Sequence, residues 1–252
     1  MSEAARAAGG LRFAAKVGPS RRLFCLPYAG GGAGVFRAWS PILAPDIELV
    51  AVQLPGREGR LREPSFASIE EIVAAVLPLV VRASDLPYAL FGHSMGALIA
   101  YALTVALERE GQRAPAHLFL SARRPPDEPD PESPLHGLPE AQFLDVIQTR
   151  YGAIPEAVLQ EPDLLALLLP TLRADIGAIE RFPLSSQRVR CPVHVFGGAR
   201  DRHPAPAQLA GWQRVAEQPV RVRLFEGDHF YLAAQREALV ADICSQWPRP
   251  SS

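Results

Sequence analysis

A serine hydroxyl is a weak nucleophile at neutral pH and attacks a carbonyl only when a base takes its proton and an acid orients that base. The pentapeptide Gly92-His93-Ser94-Met95-Gly96 presents such a serine between an apolar run, Pro87-Tyr88-Ala89-Leu90-Phe91, and a stretch of helical character. In a strand-turn-helix of this kind the turn is so tight that only glycine avoids a clash two residues before and two after the serine. The side chain is thereby held off the sheet, where a substrate reaches it. G-x-S-x-G is common by chance; its flanking strand and helix raise it to a signal for nucleophilic acyl transfer.

The base is sought among six histidines. His93 adjoins the nucleophile and points elsewhere. His117 and His194 fall in predicted strands, where packing and hydrogen bonding account for them. His136 lies in a helical insertion, and His203 in a loop after Gly197. His229 follows the last predicted strand in Glu226-Gly227-Asp228-His229-Phe230, just before the last helix, where the base is expected; His203 is its rival. The acid should precede the histidine and follow another strand, since the chain order on this scaffold is serine, acid, histidine. Val193–Gly198 runs into Ala199-Arg200-Asp201, which makes Asp201 the expected acid. Asp228 adjoins His229, so the two side chains cannot readily share one hydrogen-bonded line; it reads as a loop-capping carboxylate.

The oxyanion needs donors. One is expected from the backbone N–H of Met95, at a helix N-terminus, and another from Ala29, in Leu26-Pro27-Tyr28-Ala29-Gly30-Gly31-Gly32-Ala33-Gly34. A glycine-rich loop after a strand also suits a phosphate, but this spacing matches neither the dinucleotide nor the P-loop pattern.

The elements that must position these groups are legible as apolar runs. Arg22–Leu26, Glu48–Gln53, Tyr88–Phe91, His117–Ser121, Val193–Gly197 and Val220–Phe225 read as strands. Most lack alternation, which implies burial on both faces of a largely parallel sheet. The last alternates through Arg221 and Arg223 and belongs nearer an edge. A capping box at Ser68 and Glu71 opens a helix to about Val81, with Pro78 expected to kink or shorten it. A second helix follows Ser94 and ends near Gly111; a last one spans Tyr231 to Gln246. Strands alternating with helices imply right-handed crossovers and an α/β class. The Pro/Asp/Glu-rich stretch Arg124–Pro134 breaks the rhythm. Helical segments Pro139–Thr149, Pro155–Leu159 and Pro162–Ile179 follow, where a lid would sit. The expected division is an N-terminal arm (1–20), a core (21–123 and 186–247), a lid (124–185) and a tail (248–252).

Bulk properties narrow the function. The 252 residues carry a net charge of −1 and 48% hydrophobic residues, which leaves no electrostatic case for nucleic acid or an anionic membrane. No segment is apolar for the ~18 residues a membrane span needs. The first 20 residues lack the apolar centre of a signal peptide. Cys25, Cys191 and Cys244 have no metal-ligand spacing and cannot all pair, which fits a reducing, cytoplasmic compartment.

Taken together, Leu26-Pro27-Tyr28-Ala29-Gly30-Gly31, Gln53-Leu54-Pro55-Gly56-Arg57-Glu58, Phe91–Ala97, Phe196-Gly197-Gly198 with Asp201, and Gly227–Leu232 resemble the type II thioesterases. These are the free-standing editing enzymes of polyketide and nonribosomal peptide synthesis. The likeness runs from about Leu23 to Trp247. The Leu-Pro-Gly-Arg-Glu stretch is its most discriminating part, because general α/β-hydrolases lack it. The resemblance implies an α/β-hydrolase fold, a mostly parallel central sheet flanked by helices with a helical lid insertion. It implies a Ser94–Asp201–His229 triad and oxyanion amides at Ala29 and Met95. One departure is Arg202-His203-Pro204-Ala205-Pro206, which leaves open a local hydrogen bond between His203 and Asp201.

The implied reaction is hydrolysis of acyl thioesters on phosphopantetheine arms of acyl or peptidyl carrier proteins, or on coenzyme A. It needs no metal or cofactor, and a monomer is expected. No carrier domain or Asp-Ser-Leu attachment triplet is present, which favours action in trans. Carboxylester hydrolysis, acyl transfer or cyclisation, and a non-catalytic scaffold of the same fold are the alternatives. Arg57 either meets the phosphopantetheine phosphate or carrier, or fastens its loop; the charged pair Arg57-Glu58 favours the loop. Lid residues Phe143, Ile147 and Leu168, with Leu164, Leu165 and Leu172, line an acyl tunnel or form the lid's own core.

Overall fold

The computed structural model describes residues 9–11, 16–129, 134–152 and 154–248. Seven strands form one sheet in the order β1-β3-β2-β4-β5-β6-β7: β1 Gly9–Leu11, β2 Arg21–Leu26, β3 Ile47–Gln53, β4 Tyr88–His93, β5 His117–Ser121, β6 Val193–Gly198 and β7 Arg221–Phe225. All neighbours pair in parallel except β1 with β3.

The unalternating runs have the reason expected of them. In β2, β3 and β4, Phe24, Leu26, Val50, Val52 and Leu90 face one core, while Leu23, Cys25, Leu49, Ala51 and Phe91 face another. The first core is closed by helices α1 (Ile69–Arg82) and α2 (Met95–Arg109). The second is closed by the 3-10 segment Ala33–Trp39 and by α7 (Arg236–Gln246). At one edge of the sheet, β7 is polar on the residues that face α7: Arg221 and Arg223 both meet Asp242.

Four expectations change. Residues 9–11 are not a free arm: they pair with Ala51–Gln53 and extend the sheet. The rest of the expected arm before Lys16, and residues 249–252 of the tail, lie outside the described residues, as do 130–133 of the Pro-rich break. Helix α1 takes Pro78 in its interior and continues to Arg82. Its capping box is shifted by one: Ser68 Oγ accepts the Glu71 N–H, but the Glu71 carboxylate accepts from Ala67, not Ser68. The last helix is two pieces, α6 (Tyr231–Ala234) and α7, divided at Gln235.

Between β5 and β6 come α3 (Glu140–Tyr151), α4 (Glu156–Leu159) and α5 (Pro162–Arg181). Phe143, Ile147, Ile154 and Leu169 form a small core of their own there with Leu135.

Candidate active site

Ser94 joins β4 to α2 in a conformation that L-residues rarely adopt, with φ 53° and ψ −112°. The packing dictates it. A Cβ at Gly92 would lie 2.0 Å from the Gly96 carbonyl oxygen, and one at Gly96 would lie 2.1 Å from that of Leu26. The Ser94 N–H is held by the Ser121 carbonyl at 2.8 Å. The serine therefore stands at the wall of a cavity of about 410 Å³, together with Ala29 and His229.

His229 is carried by the turn after β7. Its Nδ1 bonds to Asp201 Oδ2 at 2.9 Å, both side chains being buried. An aspartate accepts, so the hydrogen belongs on Nδ1 and the lone pair on Nε2, the arrangement a general base requires. Asp201 reaches His229 because Gly198 lets the ends of β6 and β7 approach; a Cβ there would sit 2.1 Å from the Asp228 carbonyl oxygen. Its other oxygen accepts the backbone N–H of His203 at 2.9 Å. The departure noted at His203 is thus a backbone bond that braces Asp201. Asp228 caps its own turn, accepting the N–H of Phe230 at 3.1 Å.

His93 is buried behind the site, with Nδ1 bonded to Ser121 Oγ at 2.8 Å and its ring 5.3 Å from that of His229. Burial, with the neighbouring His229, holds it well below the usual imidazole range. It stays neutral and adds no repulsion when His229 is protonated. His117 and His194 bond to each other at 3.0 Å within the sheet, far along β5 and β6 from the serine. His136 pairs with Glu180 of α5.

The glycine-rich loop turns sharply: the Gly31 N–H reaches the Tyr28 carbonyl at 2.9 Å, with Gly30 at φ +75°. Glu58 accepts the Gly34 N–H at 3.0 Å, and Gln53 Oε1 accepts that of Ala33 at 3.2 Å. Arg57 is buried, not offered to a ligand. It forms a two-point ion pair with Asp175 of α5, 2.6 and 2.9 Å, and donates to the carbonyls of Pro55 and Gly31. Asp175 also accepts the Gly30 N–H at 2.8 Å. Nothing in the sequence marked Asp175 as part of the site beyond its being a carboxylate in an apolar helical run.

The apolar wall differs from the expected one. Ile147 lines the cavity, but Phe143 and Leu168 do not. Phe143 points into the lid's own core, under the Arg173 guanidinium at 4.3 Å. Leu172, among the residues expected there, does line the cavity, and Ile176 and Ile179 of α5 join it, with Leu98 of α2. The i, i+4, i+7 spacing of the three α5 residues puts them on one helical face, a signal present in the sequence. Tyr151, at the end of α3, was also missed; its ring lies 4.9 Å from that of His229.

A family model described as the thioesterase domain matches residues 21–247. The chain belongs to the thioesterase family. The thioesterase is 35% identical over 226 residues to the gramicidin S biosynthesis protein GrsT of Aneurinibacillus migulanus, covering 89% of this chain and 88% of that protein. It is 37% identical over 229 residues to thioesterase PikA5 of Streptomyces venezuelae, covering 88% and 79%. Among solved structures, the type II thioesterase BorB from the borrelidin biosynthetic cluster matches with a TM-score of 0.83 at 31% identity, covering 93% of this chain and 95% of that one. The resemblance to type II thioesterases and the α/β-hydrolase fold both stand, and the thioesterase is a hydrolase acting on thioesters. No helix among the described residues is long and apolar enough to cross a membrane.

Proposed function

We propose that this thioesterase acts in trans, hydrolysing aberrant or stalled acyl groups from the phosphopantetheine arms of carrier proteins in polyketide or nonribosomal peptide synthesis. The observation that carries the mechanism is the buried His229–Asp201 hydrogen bond beside the cavity that Ser94 lines. Ser94 Oγ attacks the thioester carbonyl as His229 Nε2 takes its proton. The Ala29 and Met95 amides hold the oxyanion, each worth ~3–4 kcal/mol of barrier. The pantetheine thiol leaves with the proton from His229. A water then gives its proton to the same nitrogen and releases the acid from Ser94. Asp201 holds the Nδ1–H tautomer and stabilises the imidazolium. Neither metal nor cofactor is needed, because base, acid and oxyanion donors all come from the chain.

Each group sits on one chain, so the proposed working unit is the monomer. Acyl-coenzyme A carries the same pantetheine arm and falls in the same substrate class. The three free cysteines support a reducing cytoplasm as the compartment. Turnover of a panel of acyl-carrier thioesters, matched oxygen esters and acyl-coenzyme A tests the reading. Carrier thioesters should lead, Ser94→Ala should abolish acyl-enzyme formation, and Asp201→Asn should lower kcat by roughly 10⁴. Equal or better turnover of oxygen esters would remove the assignment; near-normal turnover by either variant would remove the triad.

A further inference from the structure

We propose that Asp175 is a positioning residue for the oxyanion hole, making a working hole conditional on the docking of lid helix α5. The inference rests on the proposed role of the Ala29 amide and goes beyond it.

Asp175 is 1% exposed, and its Oδ2 accepts the Gly30 N–H at 2.8 Å. The peptide between Ala29 and Gly30 is a rigid plane, so fixing its N–H fixes how the chain leaves Ala29. The Gly31-to-Tyr28 bond closes the other side of the turn. The peptide that bears the Ala29 N–H is held between these two points. Gly30, at φ +75°, has no side chain to resist rotation. Without an acceptor on Gly30 the Ala29–Gly30 plane is free to turn, which leaves the Gly31-to-Tyr28 bond to hold the adjoining peptide that carries the donor, and a donor braced on one side swings off its line.

A carboxylate this close to a developing oxyanion would oppose it. Arg57 answers that charge at both oxygens, which gives the arginine of the Leu-Pro-Gly-Arg-Glu stretch a physical task. The same face of α5 is fastened at two further points. Thr171 donates to the Gly56 carbonyl at 2.6 Å, and Leu172 closes over Gly30, 3.3 Å from where its Cβ would be. One turn on, Ile176 and Ile179 line the cavity. Wall and hole are therefore joined through one rigid helix.

Two charge-balanced pairs isolate the acceptor. Arg57→Met with Asp175→Leu removes both the ion pair and the acceptor. Arg57→Met with Asp175→Asn removes the ion pair but keeps an oxygen for the Gly30 N–H. Replacing a buried ion pair by apolar groups is often tolerated; should leucine overfill the site, Arg57→Met with Asp175→Ala makes the same comparison. The leucine pair should show kcat about a hundredfold below the asparagine pair, with KM within threefold. An alkyl trifluoromethyl ketone, which forms an oxyanion on Ser94, should weaken by the same factor, and the matching methyl carbinol should not. A leucine pair with kcat within threefold of the asparagine pair, or equal weakening of both inhibitors, overturns the proposal. Wild-type enzyme inert to thioester and ketone alike would instead sink the parent reading of the site, and this one with it.

Discussion

Replacing Ser94 by glycine should kill the enzyme and stabilise the protein. At φ 53° and ψ −112° the residue sits where a Cβ is strained, and such positions cost about 1–3 kcal/mol. The strain cannot relax, because Gly92 and Gly96 have no room to move and the Ser94 backbone is bonded to Ser121, Ala97 and Leu98. Glycine removes the strain but orders a freer chain, at a cost of about 0.5–1 kcal/mol. The net gain over Ser94→Ala, which keeps the Cβ and likewise lacks the hydroxyl, therefore lies between about 0 and 2.5 kcal/mol and centres on about 1 kcal/mol. Urea unfolding of the two variants, compared through midpoints at unchanged slope, reads the difference. Thermal unfolding should agree, at ~2–4 °C per kcal/mol for a chain of this size. At an unstrained position the sign is opposite. An alanine variant as stable as the glycine variant, or more so, would show that the elbow stores no strain and that the turn does not over-determine the serine.

Gly96→Ala should cost at least ~3 kcal/mol, the upper range for overpacking, since its Cβ would meet the Leu26 carbonyl oxygen at 2.1 Å. Gly59→Ala, with nothing within 4 Å, should stay within about 0.5 kcal/mol in the same denaturation assay. Stability should also fall on acidification. Burial, with His117 and Arg221 nearby, pushes the His194 imidazole down to about 4. The unfolded chain takes that proton near 6.5 and the folded one does not. Stability present above pH 6.5 is therefore lost as the pH falls towards 4. His93, depressed in the same direction by burial and His229, adds to the loss. Denaturant midpoints at pH 7 and 4.5 should lie closer together in His194→Gln than in wild type; an unchanged acid loss would refute the assignment.

How much of this was legible beforehand follows from how local each feature is. The elbow at Ser94 needs five residues, a strand before and a helix after, all contiguous. The helix start at Ser68 and the sheet's two-sided strands were readable for the same reason: caps and burial leave their mark on short windows. His229 and Asp201, 28 residues apart, were found because the scaffold fixes the order of acid and base and which strand ends carry them. Strand β1 was missed because Gly9 and Gly10 have no strand preference; only the open edge of β3 makes them one.

The amino-acid order alone thus pointed to the class of chemistry and to the three residues proposed to carry it, because glycine sterics and strand–helix alternation act along the chain. Folding settled which lid residues reach the cavity, that Leu172 and Ile176 line it while Phe143 is confined to the lid's own core, and that Asp175 grips a loop 145 positions away. Those outcomes depend on where helix α5 comes to rest: the i, i+4, i+7 spacing marks one apolar face of it, but not what that face or Asp175 meets across the fold.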